Sequence, residues 1–286
     1  MPTLIQLQGI GVRPATPADV GDAELLARWS DKAHVRFQLE CLPRLIGDGR
    51  ILLATQGTRL CGLVYATIDY PNSAIRGLVV RPGRSTGAVV EAAMAHIVPA
   101  AQTLGALSIS YIGDDPWLVP ALAGQGFERQ GQIIGMHRAG AFIVARANGN
   151  CQVRPAGEQD IEAIVEADWS AFETLWRNGQ QTVREFMAQM PNFLVASEAG
   201  RVQGYACGTN YGQVGHIVRL AVHERAQRQG IGTRLVRELL SRLSSDGARS
   251  LSLNTQRDNR GSQAFYGALG FHPSHSPTSV YRCMLK

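Results

Sequence analysis

The residues from Gln227 to Thr233 read Gln-Arg-Gln-Gly-Ile-Gly-Thr, a spacing that suits a phosphate group. Glycines at 230 and 232 let the backbone approach a ligand closely and take positive φ. The apolar pattern that follows is helical, so the loop opens a helix whose first N–H groups have no partner inside it. Those donors and the helix dipole favour an anion. Arg225, Arg228 and Arg234 add positive charge nearby. Two other glycine loops are excluded. A P-loop needs a lysine after its last glycine, and Thr233 stands there. A dinucleotide fingerprint needs a third small residue where this chain has Leu235, and an acid about twenty residues on, where Leu251 to Asn254 supplies none. For the loop taken alone, a turn that merely caps a helix stays open as the alternative.

Such a loop must be held by its neighbours. His216 to Val222 reads as the strand leading into it. Leu235, Val236, Leu239, Leu240 and Leu243 mark an amphipathic helix from Thr233 to Ser245, ended by Asp246-Gly247. Upstream, Ile161, Ile164 and Val165 sit at helical spacing, and a short helix covers Thr182 to Met190. Phe193 to Ala196 and Val202 to Thr209 form strands around the Ala199-Gly200 turn. Downstream, Leu251 and Leu253 alternate in a strand, a helix over Ser262 to Leu269 stops at Gly270, and Val280 to Leu285 is a closing strand.

The same plan occurs twice. Val12-Arg13-Pro14-Ala15 returns as Val153-Arg154-Pro155-Ala156, Leu78-Val79-Val80 as Leu220-Ala221-Val222, and Gly126-Phe127 as Gly270-Phe271, at separations of 141, 142 and 144. An acid follows each first motif (Asp19, Asp160). Three ordered matches at nearly constant separation indicate a tandem duplication. The expected domains are 1–147 and 151–286, joined at Ala147-Asn148-Gly149-Asn150, a short polar stretch with a glycine. The first copy reads as a helix from Ala18, strands near Ile51, Leu60 and Ile75, a helix from Gly87 and a strand near Ile109. The apolar run Gly87 to Ser110 is interrupted by Glu91, His96, Pro99, Gln102 and Gly105, which suits a buried helix and strand rather than a membrane span.

Length and composition agree with two globular cores: 286 residues, 45% hydrophobic and 18% charged. The net charge of +5 suits a polyanionic ligand such as a nucleotide. No Lys/Arg block with interleaved aromatics is present, which argues against nucleic acid. Cys41, Cys61, Cys151, Cys207 and Cys283 form no C-x-x-C pair, so neither a disulfide framework nor a metal site is expected. Met1-Pro2-Thr3-Leu4 shows no basic region before an apolar core, so a cytoplasmic location without membrane attachment is expected.

Arg219-Leu220-Ala221-Val222, the glycine loop, Leu253-Asn254-Thr255-Gln256, Asp258-Asn259 and the run from Ala264 to Phe271 together resemble the GCN5-related N-acetyltransferase (GNAT) family. The resemblance covers residues 151–286 and is nearest to the branch that acetylates protein N-termini and small amines. It implies two tandem α/β domains, each a mixed, mostly antiparallel twisted sheet flanked by helices. It implies acetyl-CoA as co-substrate and a primary amine of a small molecule or peptide as acceptor, attacked directly in a ternary complex. The strand before the loop would splay from its neighbour, with Leu220, Ala221 and Val222 pairing to pantetheine and the Val222 N–H polarising the thioester carbonyl. Gln227, Arg228, Gln229, Gly230, Ile231, Gly232 and Thr233 would hold the pyrophosphate. Asn254, Asn259, Ser262 and Tyr266 would complete the cofactor contacts. Tyr266 matches the family's tyrosine and is the expected general acid toward the leaving sulfur. The family's strand glutamate is missing. His216 is one candidate base, although it reads equally well as an ordinary strand-start residue. Glu173, beside Phe172 and Trp176, falls where relatives line the acceptor cleft, or is simply a solvated carboxylate.

The first copy departs from this pattern. Val89 replaces the second small residue of the loop, Leu122 falls at the place of Tyr266, and Asp115 falls opposite Asn259. Leucine cannot donate a proton. The expectation is a fold without chemistry, left to cover the acceptor cleft or to support a homodimer. Alternatives are a longer acyl-CoA as donor, an amino-sugar thiol of the mycothiol-precursor kind as acceptor, and an acyl-CoA sensor or scaffold without turnover.

Overall fold

The computed structural model describes residues 6–7, 9–140 and 151–286. The expected linker at 147–150 lies outside the described residues. In chain order the elements begin with β1 (Gln6–Leu7), β2 (Ile10–Pro14), α1 (Val20–Trp29), β3 (Lys32–Val35), α2 (Leu42–Gly47), β4 (Ile51–Gln56) and β5 (Arg59–Thr67). There follow β6 (Asn72–Val80), α3 (Thr86–Thr103), β7 (Ser108–Ile112), α4 (Val119–Ala123) and β8 (Glu128–Ala139). The second plan starts with β9 (Gln152–Pro155), α5 (Ile161–Ala171), α6 (Gln180–Gln189), β10 (Asn192–Glu198), β11 (Arg201–Tyr211) and β12 (Val214–Val222). It ends with α7 (Ile231–Ser245), β13 (Ser250–Gln256), α8 (Arg260–Ala268) and β14 (His272–Met284). The buried helix expected from Gly87 is α3, which accommodates Pro99 in its interior.

Two compact units result, residues 1–130 with 279–286, and residues 131–278. The expected division at 147/151 keeps each closing strand with its own copy, and the compact units differ from it at both ends. Residues 133–139 of β8 pair with β13 in the second unit, and Val280–Met284 pair with β7 in the first. A ladder of backbone hydrogen bonds takes any strand of matching register, so this exchange leaves no mark in side-chain pattern.

Each unit is a sheet with helices on both faces. In the first, β2, β4, β5 and β6 are antiparallel neighbours, and β6 continues to β7 in parallel. In the second, β9, β10, β11 and β12 are antiparallel neighbours, and β12 meets β13 in parallel. On one face of the second unit Leu235, Val236, Leu239, Leu240 and Leu243 of α7 are fully buried. Each such leucine contributes roughly 1.5–3 kcal/mol by leaving water, which fixes α7 and therefore the loop at its start. The other face packs Ile161, Ile164 and Val183 of α5 and α6 against Val195 and Tyr205.

The duplicated Val-Arg-Pro-Ala motifs do the same work twice. Arg13 donates to both carboxylate oxygens of Asp19 at 2.8 and 2.6 Å, and Arg154 to both of Asp160 at 2.7 and 2.8 Å. Each pair staples a strand, β2 or β9, to the helix that follows, and the guanidinium hydrogen bonds hold both carboxyls below their ordinary pKa. All five cysteines are free.

Candidate active site in the second unit

Two strands part company beside the glycine loop. β12 pairs with β13 from Val214/Ser250 to Ile217/Leu253 and no further, although β12 runs on to Val222 and β13 to Gln256. The cause is local. Cys207 pairs with Arg219 and Gly208 with Ile217, so Val218 is an extra residue, a bulge that bends β12 away. Beyond the bulge, the His223 amide donates to Gln203 on β11. Backbone groups alternate along a strand, so the amides of Leu220 and Val222 face the opened edge. Asn254 lies on β13 just past the fork and is exposed.

The gap runs toward the start of α7. Gly230 caps that helix with φ of 81° and no side-chain hydrogen bond, and Arg228 also takes positive φ, 61°. The first helical bond runs from Arg234 N to Gly230 O, which leaves the Ile231, Gly232 and Thr233 amides ahead of the ladder. A Cβ at Gly230 would meet nothing within 4 Å, so the surface there is open. Side chains brace the loop from behind. Gln227 donates to the Val222 carbonyl at 3.1 Å, and Gln229 to the Arg225 carbonyl at 3.1 Å.

Tyr266 on α8 is buried, tilted against Phe265 and Phe271 at 5.0 and 5.8 Å. Among the described residues its hydroxyl has no hydrogen-bond partner. Burial pushes the phenol pKa up, opposed in part by the positive charge of Arg219. Asn259 caps α8, its side chain accepting from the Ser262 amide at 2.8 Å, so these two expected contacts form one helix start.

The candidate bases are placed differently. His216 lies in the still-paired part of β12 with its Nδ1 2.8 Å from the Ser252 hydroxyl. Glu173 is exposed at the head of a short 3₁₀ turn, Thr174–Trp176.

One cluster escaped the sequence reading. Asp168 of α5 is fully buried and accepts from the Tyr205 hydroxyl at 2.6 Å, the Asn178 amide at 2.8 Å and the Arg219 guanidinium twice at 2.9 Å. The sequence signal was a lone acid on a buried helix stripe and a lone arginine in the apolar run of β12.

In the first unit the corresponding features are closed. Ser85 caps α3, its hydroxyl accepting from the Ala88 amide at 3.3 Å. Val89, expected to crowd the loop, instead points into the core and is fully buried, because it is the fourth residue of α3, and Gly87, the second, stands where Gly232 stands in α7. β3 pairs with β6 from Lys32/Val80 to Val35/Gly77, beyond the point where β6 leaves β7 at Ala74. The Phe127 amide bonds the Leu122 carbonyl as the Phe271 amide bonds that of Tyr266, so Leu122 does stand at the phenol's place. Asp115 is engaged by Tyr111 at 2.6 Å and by His34 at 2.9 Å. Among the described residues there is no group of metal-ligating side chains, and no helix is long and apolar enough to cross a membrane.

Residues 161–271 match the acetyltransferase (GNAT) family. An uncharacterized N-acetyltransferase of Methanocaldococcus jannaschii is 35% identical over 88 residues, which span 30% of this chain and 55% of that protein. Among solved structures, a tandem GNAT protein from the clavulanic acid biosynthesis pathway has a TM-score of 0.62 at 17% identity, covering 97% of this chain and 99% of its own. A GCN5-related N-acetyltransferase from Sphaerobacter thermophilus has a TM-score of 0.60 at 15% identity, covering 99% and 98%. At those identities the two structures carry the fold alone.

Proposed function

Starting from a chain whose residues 161–271 match the acetyltransferase (GNAT) family, we propose that the second unit moves an acetyl group from acetyl-CoA to a primary amine of a small molecule or peptide within a ternary complex. The observation that carries this is the fork between β12 and β13, which leads to the uncapped start of α7. The residues present suit the co-substrate, which supplies an acyl group on a thioester. Outward amides of Leu220 and Val222 suit the pantetheine arm, and one of them suits the thioester oxygen. The amides of Ile231 to Thr233, with Arg225, Arg228 and Arg234 nearby, suit the pyrophosphate.

The amine nitrogen attacks the thioester carbon, the C–S bond breaks, and two protons must be handled. An alkyl ammonium has a pKa of about 10.4, so the acceptor loses a proton before or during attack, to His216, Glu173 or water. The departing sulfur takes a proton from Tyr266, whose buried phenol is not committed to another bond, and the second proton that the nitrogen sheds as the amide forms restores the phenol.

The first unit takes no part in the chemistry in this reading. Ser85 takes the Ala88 amide at its helix start, and its opened strand edge is filled by its own β3. Calorimetry with acetyl-CoA tests the donor site. Wild type binds and Gly230→Glu does not, because it forces a side chain into positive φ and sets a carboxylate among the amides. A wild type that ignores acetyl-CoA removes the proposal. A panel of spermidine, an aminoglycoside and a short peptide with N-terminal alanine, read by release of free CoA, tests the acceptor class.

A further inference from the structure

The buried ion pair of the second unit sits between the two halves of the site. The bulge at Val218 places Val218 and Arg219 on the same face of β12, toward α5, with Leu220 returning to the α7 face. Arg219 therefore starts from the strand that carries Leu220 to Val222 but reaches into the segment between α5 and α6. Its guanidinium donates to Asp168 twice and to the Trp176 carbonyl at 2.6 Å, and lies 3.6 Å above the Phe172 ring. Asp168 holds the far end of that segment through the Asn178 amide, and Trp169 donates to the Asn178 carbonyl at 2.8 Å. Arg177 closes the turn on the Phe172 carbonyl at 3.0 Å.

We propose that Arg219, held by Asp168 and Tyr205, is a positioning residue that sets the acceptor-side segment Phe172–Asn178 against the strand carrying Leu220 to Val222. The proposal rests on the acyltransferase reading for which substrate lies on which side. The molecule contains its own control. The first unit builds the same bulge, with Tyr65 paired to Gly77 and Ala66 to Ile75. By helix and strand position, Ala27, Leu63 and Gly77 stand where Asp168, Tyr205 and Arg219 stand. All three positions there are apolar, and the Phe37 ring packs where a Cβ on Gly77 would lie, 2.8 Å from its edge. The fold is thus built without a charged pair at these positions, and burying charge is a poor route to stability. The pair occurs in the unit that keeps an open strand edge and a free phenol, and it spans the two sides of that site.

The test is the double variant Asp168→Leu/Arg219→Met, which removes both charges together and leaves neither buried alone. It folds by circular dichroism and binds acetyl-CoA like wild type in calorimetry. With the amine from the panel that turns over best, the amine KM rises about 10-fold or more, because the acceptor side is no longer held in register. The KM for acetyl-CoA does not change. Arg219→Lys falls between, since an ammonium lacks the planar fork that reaches both Asp168 and the Trp176 carbonyl. A double variant that fails to fold, that folds but loses acetyl-CoA, or that keeps the wild-type amine KM overturns the proposal. A wild type that binds no acetyl-CoA, or turns over no amine, sinks the acyltransferase reading and this one with it.

Discussion

A phenol enclosed by Phe265 and Phe271, with burial raising its pKa, stays protonated through neutral pH and well beyond the ordinary value of 10.0. As a general acid it is therefore always loaded, and it does not set an alkaline limb near neutrality. Tyr266→Phe removes only the hydroxyl. We expect acetyl-CoA affinity to survive and turnover to drop by about 10²-fold or more, measured by release of free CoA. Unchanged turnover would take Tyr266 out of the mechanism. The phenol and the loop could be proposed from sequence because each lies in a short contiguous motif. Asp168 and Arg219 were not, because they are separated by 51 positions, and only the packing of α5 on β12 makes them partners.

At the scale of elements, one extra residue in β12 ends its pairing with β13, opens the edge and turns Arg219 toward α5. β11 must follow that bend closely, and Gly204 allows it. A Cβ there would lie 2.5 Å from the Ala221 carbonyl and 3.0 Å from the Val222 Cα. Gly204→Ala should cost about 1–3 kcal/mol, read as a lower urea midpoint. It should also weaken acetyl-CoA binding, because β12 moves at Leu220 to Val222. Full stability and affinity would show that the strand spacing has slack. A helix with strong periodicity, such as α7, and an apolar run, such as β12, were readable in the sequence. β3 was not, because Lys-Ala-His-Val has no distinctive alternation and becomes a strand only by pairing with the edge that β6 exposes past Ala74.

At the scale of the whole molecule, two copies of one plan are expected to yield one cofactor site. Calorimetry should return a single acetyl-CoA per chain. Gly87→Glu should leave that titration unchanged, because β3 already fills the first unit's opened strand edge and Ser85 takes the Ala88 amide. A second site, or binding lost in Gly87→Glu, would show that the first unit also binds. The repeated motifs, the glycine loop at the head of a helix and the resemblance of 151–286 to a family were visible in the sequence alone, because local motifs and their spacing survive without knowledge of what they touch. Strand exchange, with Val280–Met284 folding into the first unit and 133–139 into the second, was decided only in three dimensions. So were the filled groove beside β6 and the buried pair behind Phe172. Each depends on which distant backbone or charge arrives at a given edge, and backbone hydrogen bonds are indifferent to the side chains that the sequence records.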